Sequence, residues 1–298
     1  MRVNPSYISN LAASLNQTQA KVEQLTAQLS SGQRVNSLSD DPLAAGQNVL
    51  LLNQIQRDDS FTQASSLVQG QLQVADSALG GVVSQLTQAI SLATSANNGT
   101  LNASDLKSIS NQLAGVRDEV LALANTSYQG QYIFGGSETG TVPFSISGTT
   151  PAAATYNGDG NVNFLVTPNG QRIQLNVPGD KIFMAGNAND VLGTLNQLIA
   201  DFASGQASST AIADTTALST AVNFVSQQRV VLDNSLTRLT AATEAAGNEK
   251  MQLTAAQTNL MQADVADIAT QLSLSKTQQT ALQSVIAQVG AGSLFDKI

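Results

Sequence analysis

The chain contains no His, Cys or Trp, and only 11% of its 298 residues are charged. Without His and Cys it lacks the commonest general base and the commonest metal ligands, and it cannot form a disulfide. Its 13 basic and 21 acidic residues provide no basic footprint for nucleic acid or an anionic membrane surface. No run of about 18 apolar residues occurs, so membrane insertion is not expected. These absences predict a protein that is not an enzyme, carries no cofactor or metal, and binds no nucleic acid.

Aromatic residues make up 4% of the chain, whereas hydrophobic residues make up 42%. The core is therefore expected to consist of Leu, Val, Ile and Ala, as in helical bundles. The first residues contain no apolar stretch with a cleavage site, so we expect no cleaved secretory signal.

Both ends of the chain carry apolar residues at the alternating three- and four-residue spacing of a coiled-coil helix. The N-terminal seam consists of Ile8, Leu11, Leu15, Val22, Leu25 and Leu29, with Thr18 as a polar member. The C-terminal seam consists of Val265, Ile268, Leu272, Leu282, Ile286 and Val289, and we group Leu294 and Phe295 with it. A long heptad pattern precedes this second seam and shifts by one residue at Met261, which predicts a break or kink. The two ends most simply pair with each other.

Few charges accompany the seams. From Tyr7 to Leu29 the charged residues are Lys21 and Glu23, and from Met251 to Gln288 they are Asp264, Asp267 and Lys276. Exposed coiled coils carry charged flanking positions, whereas uncharged faces lose less solvation free energy when other protein covers them. The seams are therefore predicted to be surfaces for neighbouring subunits, poorly ordered in the free monomer until they assemble.

The middle of the chain contains clear start and stop signals. Ser39–Pro42 predicts a helix start, with Asp41 as N-cap and Pro42 in the first turn, and the helix should reach about Ala96. A capping box at Asn102 and Asp105 begins another helix, expected to end near Gly130. Two alternating segments around Pro168-Asn169-Gly170 then predict a small antiparallel β unit. A helix at 187–202 and a loop at 205–216 follow.

The predicted fold class is mainly α, a long antiparallel helical bundle or coiled coil formed by both chain ends, with a small inserted β-rich domain. Residues 1–38 with 261–298 are predicted to form the terminal coiled coil, and 39–130 with 206–260 a helical core rod. Residues 131–205 form the inserted domain, with a short helix.

Two motifs invite a catalytic interpretation, but local structure explains them better. Asp40 and Asp41 lack a nearby His or third acid and suit a helix start. The Gly135-Gly136 pair lacks the spacing of a phosphate-binding loop and suits a sharp turn. An enzyme carried by the insert has few acids to work with, and a glycan-binding surface on Tyr156 and Phe164 stays an alternative.

Three stretches resemble the bacterial flagellin superfamily. Residues 29–37 with 39–46, which include Asp40, Asp41 and Pro42, are similar to its N-terminal signature. Residues 128–136, which include Tyr132, Ile133, Phe134, Gly135 and Gly136, are similar to a motif of its hook–filament junction proteins. The last residues, 293–298, resemble the terminus of the same proteins.

This resemblance implies a structural subunit of the extracellular bacterial flagellum, exported unprocessed by the flagellar type III system. It implies self-association into a ring or helical layer between the first hook-associated protein and the filament. It further implies that the termini form an inner coiled-coil tube, that the insert faces outward, and that an export chaperone binds the C-terminal helix. Flagellin is then the partner on the filament side, and the alternative is a small flagellin that builds the filament itself.

Overall fold

The computed structural model describes residues 5–148, 151–186, 190–205 and 209–294, and they are mainly helical. The seven helices found there are α1 (Pro5–Ser31), α2 (Pro42–Ala96), α3 (Ala103–Ala124), α4 (Asp180–Phe183), α5 (Val191–Ala203), α6 (Ser209–Met261) and α7 (Val265–Leu294). The strands are β1 (Ser127–Tyr128), β2 (Gln131–Tyr132), β3 (Phe144–Ser147), β4 (Ala153–Tyr156), β5 (Phe164–Val166) and β6 (Arg172–Gln174). The mainly α fold with paired terminal helices and a small β-rich region is confirmed.

The chain divides into two compact units. One consists of Met1–Arg57 with Asn248–Ile298, and the other of Asp58–Gly247. The three-part division predicted from the sequence stays a prediction.

The first unit contains the antiparallel pair α1 and α7. Leu25 near the end of α1 packs with Ile268 near the start of α7 and with Ala263 before it, and these three residues form a small apolar core. Gly32, with φ of 68°, ends α1 in the left-handed conformation that glycine adopts without steric cost.

The second unit has a continuous aliphatic core. One stripe of α2 with heptad spacing is buried throughout, at Val68, Leu72, Ala75, Leu79, Val82, Leu86, Ala89 and Ala93. Side chains of α3, α5 and α6 close this core, among them Leu113, Leu195 and Leu218, each fully buried. A bidentate ion pair joins α2 to α6, in which Arg229 Nε and Nη2 lie 2.8 and 3.0 Å from the Asp76 carboxylate.

The β-rich region contains three separate two-stranded antiparallel ladders, β1–β2, β3–β4 and β5–β6, among the described residues. The predicted turn at Gly170 joins β5 to β6, and Leu165 lies opposite Ile173. Ile173, Phe144 and Val177 are buried in the same core as the helices, whereas Phe164 and Val166 face outward. The insert therefore shares its apolar core with α3 and α5.

Two boundaries differ from the prediction. The helix expected to reach Gly130 ends at Ala124, because Asn125 caps it and its side chain binds Phe144. Asn125 Nδ2 donates to the Phe144 carbonyl at 2.9 Å, and Asn125 Oδ1 accepts from the Phe144 N–H at 2.8 Å. The expected loop at 205–216 is helical from Ser209 onward, where Ala211 is fully buried, and residues 206–208 of it lie outside the described residues.

Candidate assembly surface

The N-terminal seam lies along the face of α1 that is turned toward α7. Leu25 is buried, as is the polar Thr18, whose hydroxyl donates to the Ser14 carbonyl at 2.8 Å. The remaining predicted members with described side chains are half-buried, namely Leu11, Leu15, Val22 and Leu29. The side chain of Ile8 lies outside the described residues. The structure thus brings the predicted seam together on one face.

The C-terminal seam follows the same pattern along α7, with one exception. Ile268 is buried, and Leu272, Leu282 and Ile286 are half-buried. Val265, the first residue of α7, is 54% exposed. Its place in the assembly seam stays a prediction. Val289, Leu294 and Phe295 fall outside the residues whose side chains are described.

The outer faces of this helix pair carry few charges, as the sequence predicted. Lys21, Glu23, Asp267 and Lys276 are exposed. Uncharged polar neighbours bind two of these carboxylates, since the Gln19 amide donates to Glu23 at 3.5 Å and the Gln271 amide to Asp267 at 2.7 Å. Covering these faces with another protein therefore costs little desolvation free energy.

The signature loop between α1 and α2 is built around two carboxylates. Asp41 caps α2 by accepting from the Ala44 backbone N–H at 3.0 Å, and Pro42 is the first helical residue. Asp40 accepts from the backbone N–H groups of Ser37 and Asn36 at 2.9 and 3.0 Å. These hydrogen bonds lower the pKa of both carboxyls. The bond from Ser37 has the largest effect on Asp40, and the bond from Ala44 has the largest effect on Asp41. The predicted helix start is confirmed.

Arg34 connects this loop to the break between α6 and α7, a contact that sequence reasoning missed. Its guanidinium lies 3.0 Å from the Asp41 carboxylate and 3.2 Å from the Leu260 carbonyl. Its backbone N–H donates to the Met261 carbonyl at 2.7 Å, beside an antiparallel bridge between Gln33 and Gln262. The one-residue shift of the heptad pattern at Met261 did indicate a break there.

The second signature motif forms a turn at the base of the insert. Ile133 and Phe134 are buried, and Tyr132 is half-buried in β2. Gly136 has φ of 73°, and a Cβ atom there would lie 2.2 Å from the Asp159 carbonyl oxygen. A Cβ atom on Gly135 would lie 2.6 Å from the Glu138 carbonyl oxygen. Only glycine fits at this close approach, so the motif is structural, as predicted.

Asp159 and Tyr156 hold the same turn. Asp159 accepts from the Ser137 backbone N–H at 2.7 Å, from the Ser137 hydroxyl and from Asn161, and these bonds lower its pKa to about 2. The Tyr156 hydroxyl lies within hydrogen-bond distance of the carbonyls of Phe134 and Asp159, at 2.9 and 2.8 Å, and donates its one proton between them. Burial, followed by the negative charge of Asp180, raises the pKa of Tyr156 to about 12. Tyr156 is therefore engaged internally, which weakens the glycan-binding alternative.

No group of three or more acids that could hold a metal ion occurs within 5–148, 151–186, 190–205 and 209–294. The helices in these same ranges are also not apolar enough over a sufficient length to cross a membrane.

Residues 4–139 match the family of the bacterial flagellin N-terminal helical region. This segment, less than half of the chain, is similar to that family. It contains α1, α2, α3 and both signature motifs, so the resemblance to the flagellin superfamily is confirmed.

Curated relatives extend the comparison. Hook-associated protein 3 of Escherichia coli K12 is 36% identical over 140 residues, which cover 47% of this chain and 44% of that protein. Flagellin 1 of Proteus mirabilis is 31% identical over 143 residues, which cover 46% and 38%. The matched segment spans less than half the length of these relatives.

Solved structures share the fold of this flagellin-like chain. A Vibrio parahaemolyticus structure assigned as a flagellar hook-associated protein matches with a TM-score of 0.65 and 20% identity, over 75% of this chain and 100% of that chain. The flagellar junction protein FlgL of Legionella pneumophila matches with a TM-score of 0.57 and 17% identity, over 73% and 100%.

Proposed function

We propose that the chain is a non-enzymatic structural subunit of the bacterial flagellum that forms the junction layer between the hook and the filament. Sequence similarity to hook-associated protein 3 supports this choice within the flagellin superfamily. Among the described residues of the insert, Tyr156 and Asp159 form hydrogen bonds that hold a turn, which favours a structural role for both.

The observation that carries the proposal is the incomplete burial of the terminal helix pair. Of the side chains described in α1 and α7, those of Thr18, Leu25, Gln28 and Ile268 are buried. The other seam residues with described side chains are half-buried, apart from the exposed Val265, and the remaining faces are mostly uncharged. A helix pair of this kind gains apolar burial at little desolvation cost when neighbouring subunits cover it.

The proposed partners follow from this surface and from the relatives. Copies of the chain would associate through the two seams into a ring or helical layer. One side of that layer would contact the first hook-associated protein and the other side flagellin. The terminal region, 1–38 with 261–298, would lie inside and the insert outside. The location is therefore extracellular, at the hook–filament junction.

Export is proposed to occur through the flagellar type III system without cleavage of the chain. An export chaperone would bind the C-terminal seam in the cytoplasm, since that seam is apolar and most of its described side chains are only half-buried. Pull-down from the producing bacterium with the α7 segment as bait tests this part. Recovery of no small flagellar chaperone would count against it.

The second candidate is a small flagellin, which the similarity to Flagellin 1 favours. Electron microscopy of a deletion strain, with analysis of the culture medium, separates the two. A junction subunit predicts intact hooks without filaments and flagellin released into the medium. Absence of the filament protein itself would identify a flagellin, and normal filaments would overturn both proposals.

A further inference from the structure

The three residues between α6 and α7 are held by the loop that follows α1. The Ala263 N–H donates to the Gly32 carbonyl at 3.0 Å. The Arg34 guanidinium donates to the Leu260 carbonyl, and the Arg34 backbone N–H donates to the Met261 carbonyl. In a continuous α-helix these two carbonyls would accept from residues 264 and 265. The loop therefore replaces the donors that a continuous helix would provide.

The residues at the break do not themselves forbid a helix. Gln262 and Ala263 are good helix formers, and the Gln262 N–H still donates to the Thr258 carbonyl at 2.7 Å. Besides the loop, one local group favours separation, because Asp264 Oδ1 accepts from Ala266 and Asp267 at 3.0 and 3.1 Å and so caps α7. The break thus depends on the contacts of Arg34 and on the cap of Asp264.

The break also sets the direction in which the C-terminal seam faces. In this unit the half-buried residues of α6 include Leu253, Gln257 and Leu260, whereas in α7 the packed positions include Ile268 and Leu272. The second set is displaced by one residue from the spacing of the first. One residue corresponds to about 100° of rotation in a continuous helix. A joined helix therefore cannot keep both stripes on their present partners.

We propose that Arg34 is the positioning residue of a two-state junction. When its contacts are made, α6 and α7 are separate and the C-terminal seam packs on α1. When they are broken, α6 and α7 join into one helix and the two seams separate, free for another subunit. The change between separate and joined α6 and α7 is inferred from the contacts of Arg34 and Asp264. The inference rests on the proposed function only where it treats the seams as assembly surfaces.

The test compares Arg34→Ala with the full-length wild-type chain by nuclear magnetic resonance. The amide of Asp264 should exchange at least about tenfold more slowly in the variant, because loss of the guanidinium frees the Leu260 carbonyl to accept from this amide within a helix. Residues 262–264 should acquire helical Cα shifts. Arg57→Ala, which removes another exposed arginine, should change neither quantity.

Because the chain lacks Cys, spin labels placed by Ala27→Cys and Ala269→Cys report the α1–α7 distance without background. This distance should increase in Arg34→Ala. Asp264→Ala, which removes the N-cap of α7, should also slow amide hydrogen exchange at residue 264. This variant tests the proposal if Arg34→Ala does not fold. Unchanged or faster exchange of the amide of residue 264 in the folded variants would overturn the proposal. These readouts require no flagellar assembly, so their result is separate from that of the deletion strain.

Discussion

Leu25 of α1 and Ile268 of α7 are both buried in one small apolar cluster that also contains Ala263. A cluster of this size stabilises the terminal helix pair far less than the long core of Asp58–Gly247 stabilises the other unit. The ends of the chain are therefore the part whose order depends most on additional protein.

Limited proteolysis of the monomer should show this difference directly. Trypsin is expected to cut first at Lys21, Arg34 and Lys276, which are exposed, and to leave a resistant middle. Mass spectrometry of early fragments identifies the sites. Early cuts confined to the β-rich region, in a monomer verified by its hydrodynamic mass, would show that the terminal pair is stable by itself.

Leu25→Ala should loosen the terminal pair selectively. Loss of a buried leucine side chain is expected to lower the free energy of local unfolding by about 2 kcal/mol or more, because the cavity is not refilled. Hydrogen exchange of the α1 amides measures it. Val265→Ala is the matched control, since Val265 is largely exposed and its truncation should cost within about 0.5 kcal/mol. Equal effects of the two variants would contradict the packing described.

Two phenylalanines of the insert should differ sharply in their contribution to stability. Phe144 is buried and packs edge-on against Phe183, with ring centroids 5.3 Å apart, so Phe144→Ala is expected to cost about 3–5 kcal/mol. Phe164 is exposed and contacts Arg172 at 4.2 Å, so Phe164→Ala should cost about 1 kcal/mol or less. Chemical denaturation followed by circular dichroism compares them. Similar losses would mean that the insert does not share the helical core.

Asp159 should give the turn at Gly136 an acid dependence. Its pKa is about 2 in the folded chain, below the ordinary 3.8, so its stabilising effect is present above about pH 4 and lost as the pH falls toward 2. Asp159→Asn should lower the melting temperature at pH 5 and flatten its decline over that range. Glu138→Gln is the control, because that exposed side chain makes no described hydrogen bond. If the melting temperature of Asp159→Asn declined with falling pH as steeply as that of the wild type, Asp159 would not be the source of the acid dependence.

Periodicity predicted the helices well because their burial is one-sided. The stripe of α2 from Val68 to Ala93 and the capping box at Asn102 follow directly from spacing and side-chain chemistry. The sequence did not predict the start of α6, because its buried positions include small residues such as Ala211, which give no clear heptad pattern of large apolar residues. The end of α3 was missed because Asn125 binds Phe144, a contact distant in sequence.

The candidate surface was predictable to the same degree. Seam positions could be predicted from the heptads, but the heptads did not predict the exposure of Val265, the first residue of α7. The role of Arg34 depends on carbonyls more than two hundred positions away in the chain, and no local pattern encodes that pairing.

The central claim, that this chain is the junction layer, is tested most directly by locating it on the flagellum. The turn Pro168-Asn169-Gly170 is exposed and accepts a short epitope without disturbing the buried side of β5 and β6. Immunogold electron microscopy of the tagged, complemented deletion strain should show label confined to one narrow band where hook and filament meet. Label distributed along the filament, or none on the flagellum despite secretion of the tagged chain, would contradict the account.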